Sequence, residues 1–173
     1  NTLMGSFAGD ALTDTDDNTA VGYAALSSDT KGKFSTAIGS GALNEQNFTT
    51  ATDAYNVAVG NSAGNRVSTG IFNTLIGALA GDALTDADYN VAVGYGALTD
   101  DTLGSRTVAI GLNALQNQNL TTATTTYNVA IGSSVGESIT TGTHNTLIGG
   151  ESGDLLTVGN ANVAVGFRTL SGD

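Results

Sequence analysis

The sequence predicts an all-β protein, a parallel β-solenoid (β-roll) of ten short coils. A short motif recurs ten times along the 173 residues, which is typical of a repeat architecture. The spacing of the copies, as from Asn1 to Asn18 or from Ser35 to Asn56, holds two short strands and their turns but not a helix with a strand. The motif itself favours a strand, because it contains β-branched residues and ends on Gly.

The motif reads Asn, then Thr or Val, then Ala or Leu, then a β-branched residue or Met, then Gly. The predicted coils begin at residues 1, 18, 35, 56, 73, 90, 107, 128, 145 and 162, where Ser35 and Thr107 replace Asn. The distances between successive motif copies follow the order short, short, long, short. This order repeats every four coils, so Gly5, Gly77 and Gly149 occupy equivalent positions. We interpret residues 1–173 as a single repeat domain and expect it to be a segment of a longer fibre.

The first and last motif residues have predicted structural roles. Stacked coils place equivalent side chains about 4.8 Å apart, a spacing at which Asn amides can form a ladder. A turn preference of Asn is the alternative. The motif Gly is expected to supply a positive φ or a close backbone approach. The structural motif residues singled out on this basis are Asn18, Gly22, Asn56, Gly60, Asn90, Gly94, Asn128, Gly132, Asn162 and Gly166.

Both faces of the predicted motif strand are apolar. Alternation directs Val57 and Val59 to one side and Ala58 to the other, and the other copies follow the same pattern. One face can line the coil interior, and the other requires a second layer that a single chain does not offer. We therefore expect a homo-oligomer in which another copy of the chain supplies that layer.

The second half of each coil occurs in two versions. In one, a small residue precedes Leu directly, as in Ala25-Leu26; in the other, Gly replaces that Leu and an apolar residue follows three positions later, as in Gly81 and Leu84. Both versions are expected to deliver one larger side chain to the interior. The two long coils, which begin at Ser35 and Thr107, carry Thr-rich inserts, NFTTATDAY and NLTTATTTY. These inserts should emerge as loops at equivalent places on the rod.

Composition excludes several classes of function. The net charge of −11 disfavours binding to phosphate backbones and anionic membranes, so no nucleic-acid partner is expected. No apolar run approaches the ~18 residues of a membrane span, so no membrane insertion is expected in this segment. Cysteine is absent, which removes disulfides and thiolate metal sites.

The sequence offers no catalytic constellation, and we expect neither an enzyme nor a cofactor. The single histidine, His144, lies in a turn without a recognisable nucleophile. Carboxylates cluster in turns, and Asp14, Asp16 and Asp17 are the best candidates for a calcium site, with a solvated polar turn as the alternative. One coil step also separates Asp14 from Lys31 and Asp16 from Lys33, which predicts local ion pairs.

The strings NTAVGYAAL (18–26), NTLIGALAG (73–81), NVAVGYGAL (90–98) and NVAIGSS (128–134) resemble two related groups of proteins. One is the head domain of trimeric autotransporter adhesins, and the other is the class of phage tail-fibre-like proteins with NTAVGY-AL repeats. The resemblance covers the whole chain and implies a left-handed solenoid with three chains around one axis. The coils here are longer than the tight repeat of the adhesin heads.

These features predict a non-enzymatic structural shaft of a trimeric extracellular fibre, either a phage tail fibre or a bacterial surface adhesin. The expected location is extracellular, on a cell surface or a virion, with a cell-surface glycan or receptor as a possible partner. Two alternatives are an extracellular filament that assembles end to end and a tail spike that binds or depolymerises carbohydrate.

Overall fold

A computed structural model describes residues 1–172 and contains only strands, turns and loops over that range. The strands are β1 (Thr2–Met4), β2 (Thr19–Val21), β3 (Gly32–Lys33), β4 (Thr36–Ile38), β5 (Thr52–Asp53), β6 (Val57–Val59), β7 (Thr74–Ile76), β8 (Val91–Val93), β9 (Gly104–Ser105), β10 (Val108–Ile110), β11 (Thr124–Thr125), β12 (Val129–Ile131), β13 (Thr146–Ile148) and β14 (Val163–Val165). The predicted all-β solenoid of about ten coils is confirmed.

One parallel sheet runs the length of the rod. It takes one strand from each coil in the order β1-β2-β4-β6-β7-β8-β10-β12-β13-β14. Neighbouring strands pair motif to motif, as Thr19 with Thr36 and Thr36 with Val57, so both the short and the long coil steps keep the register. Two smaller parallel sheets, β3 with β5 and β9 with β11, lie at the long coils.

The centre of each motif strand faces the interior. Ala20, Ala58 and Ala92 have no exposed surface, whereas the residues on either side of them are half-buried or exposed. Small side chains fit this position because so short a coil encloses a narrow space. The Val, Ile and Thr side of the strand therefore points outward, and Ile76 for example remains 40% exposed.

Larger side chains fill the rest of the interior by two routes, as predicted. Leu26 and Leu98 enter directly after a small residue, and Val67, Leu84 and Ile139 enter at the third position after a Gly. All five side chains have no exposed surface. Both versions of the coil thus contribute to one continuous apolar core.

The four-coil period follows from the volumes available in this core. Leu75 occupies the strand position that most coils give to Ala, and two glycines make room for it. A Cβ added at Gly64 would lie 2.6 Å from Leu75 Cδ1, and one added at Gly81 would lie 2.8 Å from Leu75 Cδ2. Leu147 has the same relation to Gly136 and Gly153. Four coils are therefore needed before the pattern of large and small residues repeats.

The motif glycines form a column that no other residue could occupy without distortion. Gly60 has φ +142°, and a Cβ on it would lie 2.5 Å from the carbonyl oxygen of Gly77 in the next coil. Gly22 repeats both features towards Gly39. The expected positive φ and the expected close backbone approach are both present.

Candidate functional site

The motif asparagines form a buried column that connects successive coils. Asn18 Oδ1 accepts a hydrogen bond of 2.8 Å from the backbone N–H of Ser35, and Asn18 Nδ2 donates to the carbonyl oxygen of Gly32 at 2.8 Å. Asn56 and Asn90 make the same two bonds. Each side chain thus satisfies a backbone N–H and a carbonyl at the coil corner that no strand pairing reaches.

This column differs from the expected amide-to-amide ladder. Direct amide contacts occur between Asn73 and Asn56 at 3.3 Å and between Asn162 and Asn145 at 2.9 Å. Elsewhere the partners of Asn are mainly backbone groups, because the carboxamide oxygen is already held by the N–H at the head of the next coil. The predicted stacking of the asparagines is correct, but the donors and acceptors are mostly different.

Two glutamines complete the column where Asn is missing. Gln46 Nε2 donates to Asp29 Oδ2 at 2.6 Å and to Ser35 Oγ at 3.1 Å, and its Oε1 accepts from Asn56 Nδ2 at 2.9 Å. Gln118 makes the corresponding bonds to Asp101, Thr107 and Asn128. Neither glutamine was predicted from the sequence. Two features of the sequence could have indicated them. Each glutamine lies one short coil after an Asp, and each occurs in a coil that begins without Asn.

A buried carboxylate anchors each insert. Asp101 Oδ1 accepts hydrogen bonds of 3.1 Å from the backbone N–H groups of Gly104 and Leu120. Burial raises the pKa of Asp101, since the interior penalises its charged form more than these donors compensate. Asp29 binds the N–H groups of Gly32 and Phe48 in the same way.

The inserts are more ordered than the predicted loops. Thr52 and Asp53 pair with Gly32 and Lys33 as β5 and β3, and Phe48 is buried beneath the insert. Residues 49–51 remain exposed at its tip. The second insert repeats this arrangement through β11 and β9, so the predicted equivalence of the two inserts is correct.

The outward side of the ten-stranded sheet forms a long surface without charge. We call it the outer sheet face, and it consists of Thr2, Met4, Thr19, Val21, Thr36, Ile38, Val57, Val59, Thr74, Ile76, Val91, Val93, Val108, Ile110, Val129, Ile131, Thr146, Ile148, Val163 and Val165. The chain has 16 acidic and 5 basic residues, and none lies on this face. Both charge and polar groups other than Thr hydroxyls are thus confined to the rest of the rod.

A column of aromatic side chains borders the outer sheet face at the residue before the motif. Phe34, Tyr55, Phe72 and Tyr89 stack with ring centroids 4.9, 5.3 and 5.0 Å apart, and Arg106 lies 4.7 Å above the Tyr89 ring. The inner rings are covered by their neighbours on both faces. They therefore expose edges and lack the open ring face that stacks on a sugar.

The predicted calcium and ion-pair residues are not brought together. Asp14, Asp16 and Asp17 are exposed, and no group of three acidic or histidine side chains in residues 1–172 is placed to hold a metal. The predicted pairs Asp14–Lys31 and Asp16–Lys33 are wrong, since the ion pair that forms in this range joins Arg168 to Glu151 at 3.3 Å.

The single histidine of the chain, His144, is exposed. His144 packs beside the Tyr127 ring at 5.5 Å between centroids and has its Nδ1 3.0 Å from Thr143 Oγ1. No pocket is found over residues 1–172, and no helix in that range is long and apolar enough to cross a membrane.

These features define a class: a parallel β-solenoid repeat protein with a polar column inside and one uncharged face outside. Comparison of the chain with models of known protein families, with curated proteins and with solved structures finds no match.

Proposed function

We propose that this chain is a non-enzymatic structural shaft of a trimeric extracellular fibre, belonging to a phage tail fibre or a bacterial surface adhesin. The observation that carries the proposal is the outer sheet face, which is apolar, uncharged and continuous over ten strands. An exposed apolar surface of this extent is typical of a protein–protein interface.

The outer sheet face and the side chains beside it form a long, narrow surface for a contact. Ten strands spaced about 4.8 Å apart span roughly 45 Å along the rod. Each strand has three residues and is about 10 Å long, so the face is about 10 Å wide and has an area of about 450 Å². The aromatic column on one side and exposed Tyr23, Tyr95 and Phe167 on the other widen the apolar band. The sheet face alone is smaller than the ~800 Å² that each partner contributes to a standard interface, so these flanking side chains would have to take part in the contact.

Another copy of the chain is the partner that fits this face best. An identical rod presents the same uncharged outer sheet face with the same coil spacing, so the apolar side chains of two rods can align along the whole length. The charge of −11 stays on the remaining surfaces, where solvent screens it. The preference for three chains around one axis comes from the resemblance of the motif to trimeric adhesin heads.

The shaft would act by its length, its stiffness and its regular display of the inserts. The stacked asparagines and the interlocking core resist bending at any single coil. A cell-surface glycan or receptor would meet the exposed inserts. A carbohydrate-cleaving spike is less well supported, because the aromatic rings are stacked on one another and paired carboxylates are not gathered beside them.

The test is the mass of the purified chain in solution at micromolar concentration, measured by light scattering. We expect three times the 17.2 kDa chain mass. Ile76→Glu combined with Val93→Glu places charge on the outer sheet face and should give a monomer. Val158→Glu changes an apolar residue that is 62% exposed but lies off this face, and it should leave the trimer intact.

Other outcomes would contradict the proposal in different ways. A monomeric wild-type chain would refute the interface, and a dimer would refute threefold assembly. Assemblies that keep growing and show no defined mass would favour the end-to-end filament. A trimer that survives both glutamates would show that another surface joins the chains.

A further inference from the structure

Two asparagines in the inserts differ from all those of the buried column. Asn47 and Asn119 are exposed, and they lie at equivalent positions in the two long coils. Each is followed, at the second position after it, by an exposed Thr, Thr49 or Thr121. Asn-x-Thr is the acceptor sequence for N-linked glycosylation, and no other Asn in the chain has Ser or Thr at that position.

The local structure holds the backbone of each asparagine and leaves its amide nitrogen without a protein partner. The Asn47 backbone N–H donates to the Ser68 carbonyl at 2.9 Å, and Asn47 Oδ1 lies 3.2 Å from Thr30 Oγ1, whose hydroxyl also has the closer Phe48 carbonyl oxygen at 2.8 Å. Asn119 repeats both contacts, with Thr140 and with Thr102. Within residues 1–172 neither Nδ2 donates a hydrogen bond to the protein, and both residues are exposed, so no protein partner holds the atom that would accept a sugar.

The chain leaves the coil at these two points. Phe48 and Leu120 are the middle residues of the two acceptor sequences. Each is buried, with 5% of its surface exposed. The residues that follow them, 49–51 and 121–123, are exposed at the tip of the insert. The acceptor sequence is thus anchored at one residue and open on both sides, which leaves room for a transferase.

The position of the inserts also leaves the proposed interface free. Asn47 and Asn119 lie in the second half of their coils, next to the small sheets β3–β5 and β9–β11, and not on the outer sheet face. A bulky, hydrophilic glycan at this place would therefore decorate the rod without separating its chains.

We infer that Asn47 and Asn119 are sites of N-linked glycosylation. A separate glycosyltransferase would join Nδ2 to the anomeric carbon of a sugar supplied as an activated lipid or nucleotide diphosphate. The diphosphate leaves with the bonding electrons, and the amide proton passes to a base of the transferase. Four coils separate the two sites, so glycans would project every ~19 Å along the rod.

Peptide mass spectrometry of the chain purified from its natural source tests this inference. We expect sugar on Asn47 and Asn119 and none on Asn117, which is also exposed but is followed by Gln and Asn. Release by an amidase in heavy-oxygen water should convert the two modified asparagines to labelled aspartates. Unmodified peptides at both sites, or sugar attached to the Thr residues instead, would overturn the inference.

A matched pair of variants, expressed in the same source, separates recognition from folding. Thr49→Ala with Thr121→Ala removes both acceptor sequences and should abolish the modification, whereas Thr49→Ser with Thr121→Ser should retain it. Circular dichroism should show the same fold for both, because these side chains are exposed. Retention of sugar in the alanine variant would refute the assignment. The oligomer test uses unmodified chain, so either proposal can fail without the other.

Discussion

Two glycines in one coil offer a direct test of the close stacking. Gly39 belongs to the motif column and has φ +133°, and a Cβ there would lie 2.6 Å from the carbonyl carbon of Gly60. Gly41 has φ +69°, and its Cβ would lie 3.1 Å from the nearest atom, a side-chain nitrogen of Asn65. The position equivalent to Gly41 in the preceding coil already holds Ala24 at φ +52°.

The expected costs of substituting these glycines by Ala differ accordingly. Gly39→Ala combines about 1–3 kcal/mol of backbone strain with about 1–3 kcal/mol of overpacking, because the atoms it meets are backbone atoms of the next coil. Gly41→Ala should cost about 1–2 kcal/mol, which is the left-handed backbone strain alone, since Asn65 can move and Ala24 already adopts this conformation.

Thermal unfolding followed by circular dichroism would measure the difference at equal chain concentration. At about 2–4 °C per kcal/mol for a chain of this size, Gly39→Ala should lower Tm by roughly 5–20 °C. Gly41→Ala should lower it by about 2–8 °C. Equal shifts for the two variants would refute the claim that the motif column excludes a Cβ.

Three further tests probe the interior. Gln118→Leu leaves Asp101 and Asn128 each without one buried partner and should lower the free energy of unfolding by about 2–5 kcal/mol in urea titrations; an unchanged midpoint would show that water replaces the glutamine. The folded-state pKa of Asp101 is raised above its ordinary 3.8, so wild-type stability relative to Asp101→Asn should fall as pH rises from 3.8 through that raised value, and a rise would contradict the burial effect. Leu75→Ala should cost about 2–5 kcal/mol, and adding Gly81→Ala should cost less in that background than in wild type; additive effects would mean that the two positions do not share space.

Coil number and stacking could be predicted from the sequence because a solenoid repeats in space what the chain repeats in sequence. The inward face could not be read from alternation alone, since Ala58 and Val57 are both apolar. The narrowness of the coil decides it in favour of Ala. Gln46 was missed because its partners, Asp29 and Asn56, belong to the coils before and after it.

The predicted ion pairs failed for an energetic reason. The alignment that placed Lys31 beside Asp14 is consistent with the strand register, and the neighbouring Thr13 N–H does bond to Thr30 across the coils. Asp14 is exposed, however, and holding two solvated side chains together costs side-chain entropy that a pair worth about 0–1 kcal/mol does not repay. Proximity along the stack was predictable, whereas contact was not.

The fit between Leu75 and its two glycines has a consequence for how such a rod can change length. Removal of the coil that begins at Asn56 would place Leu43 next to Leu75, where Gly64 now lies. The two leucine side chains would then overlap in the space that Gly64 leaves for Leu75. Removal of four coils would bring equivalent neighbours together. We therefore expect duplication or loss within the gene to be tolerated in units of four coils, each of which would change the length of the rod by about 19 Å.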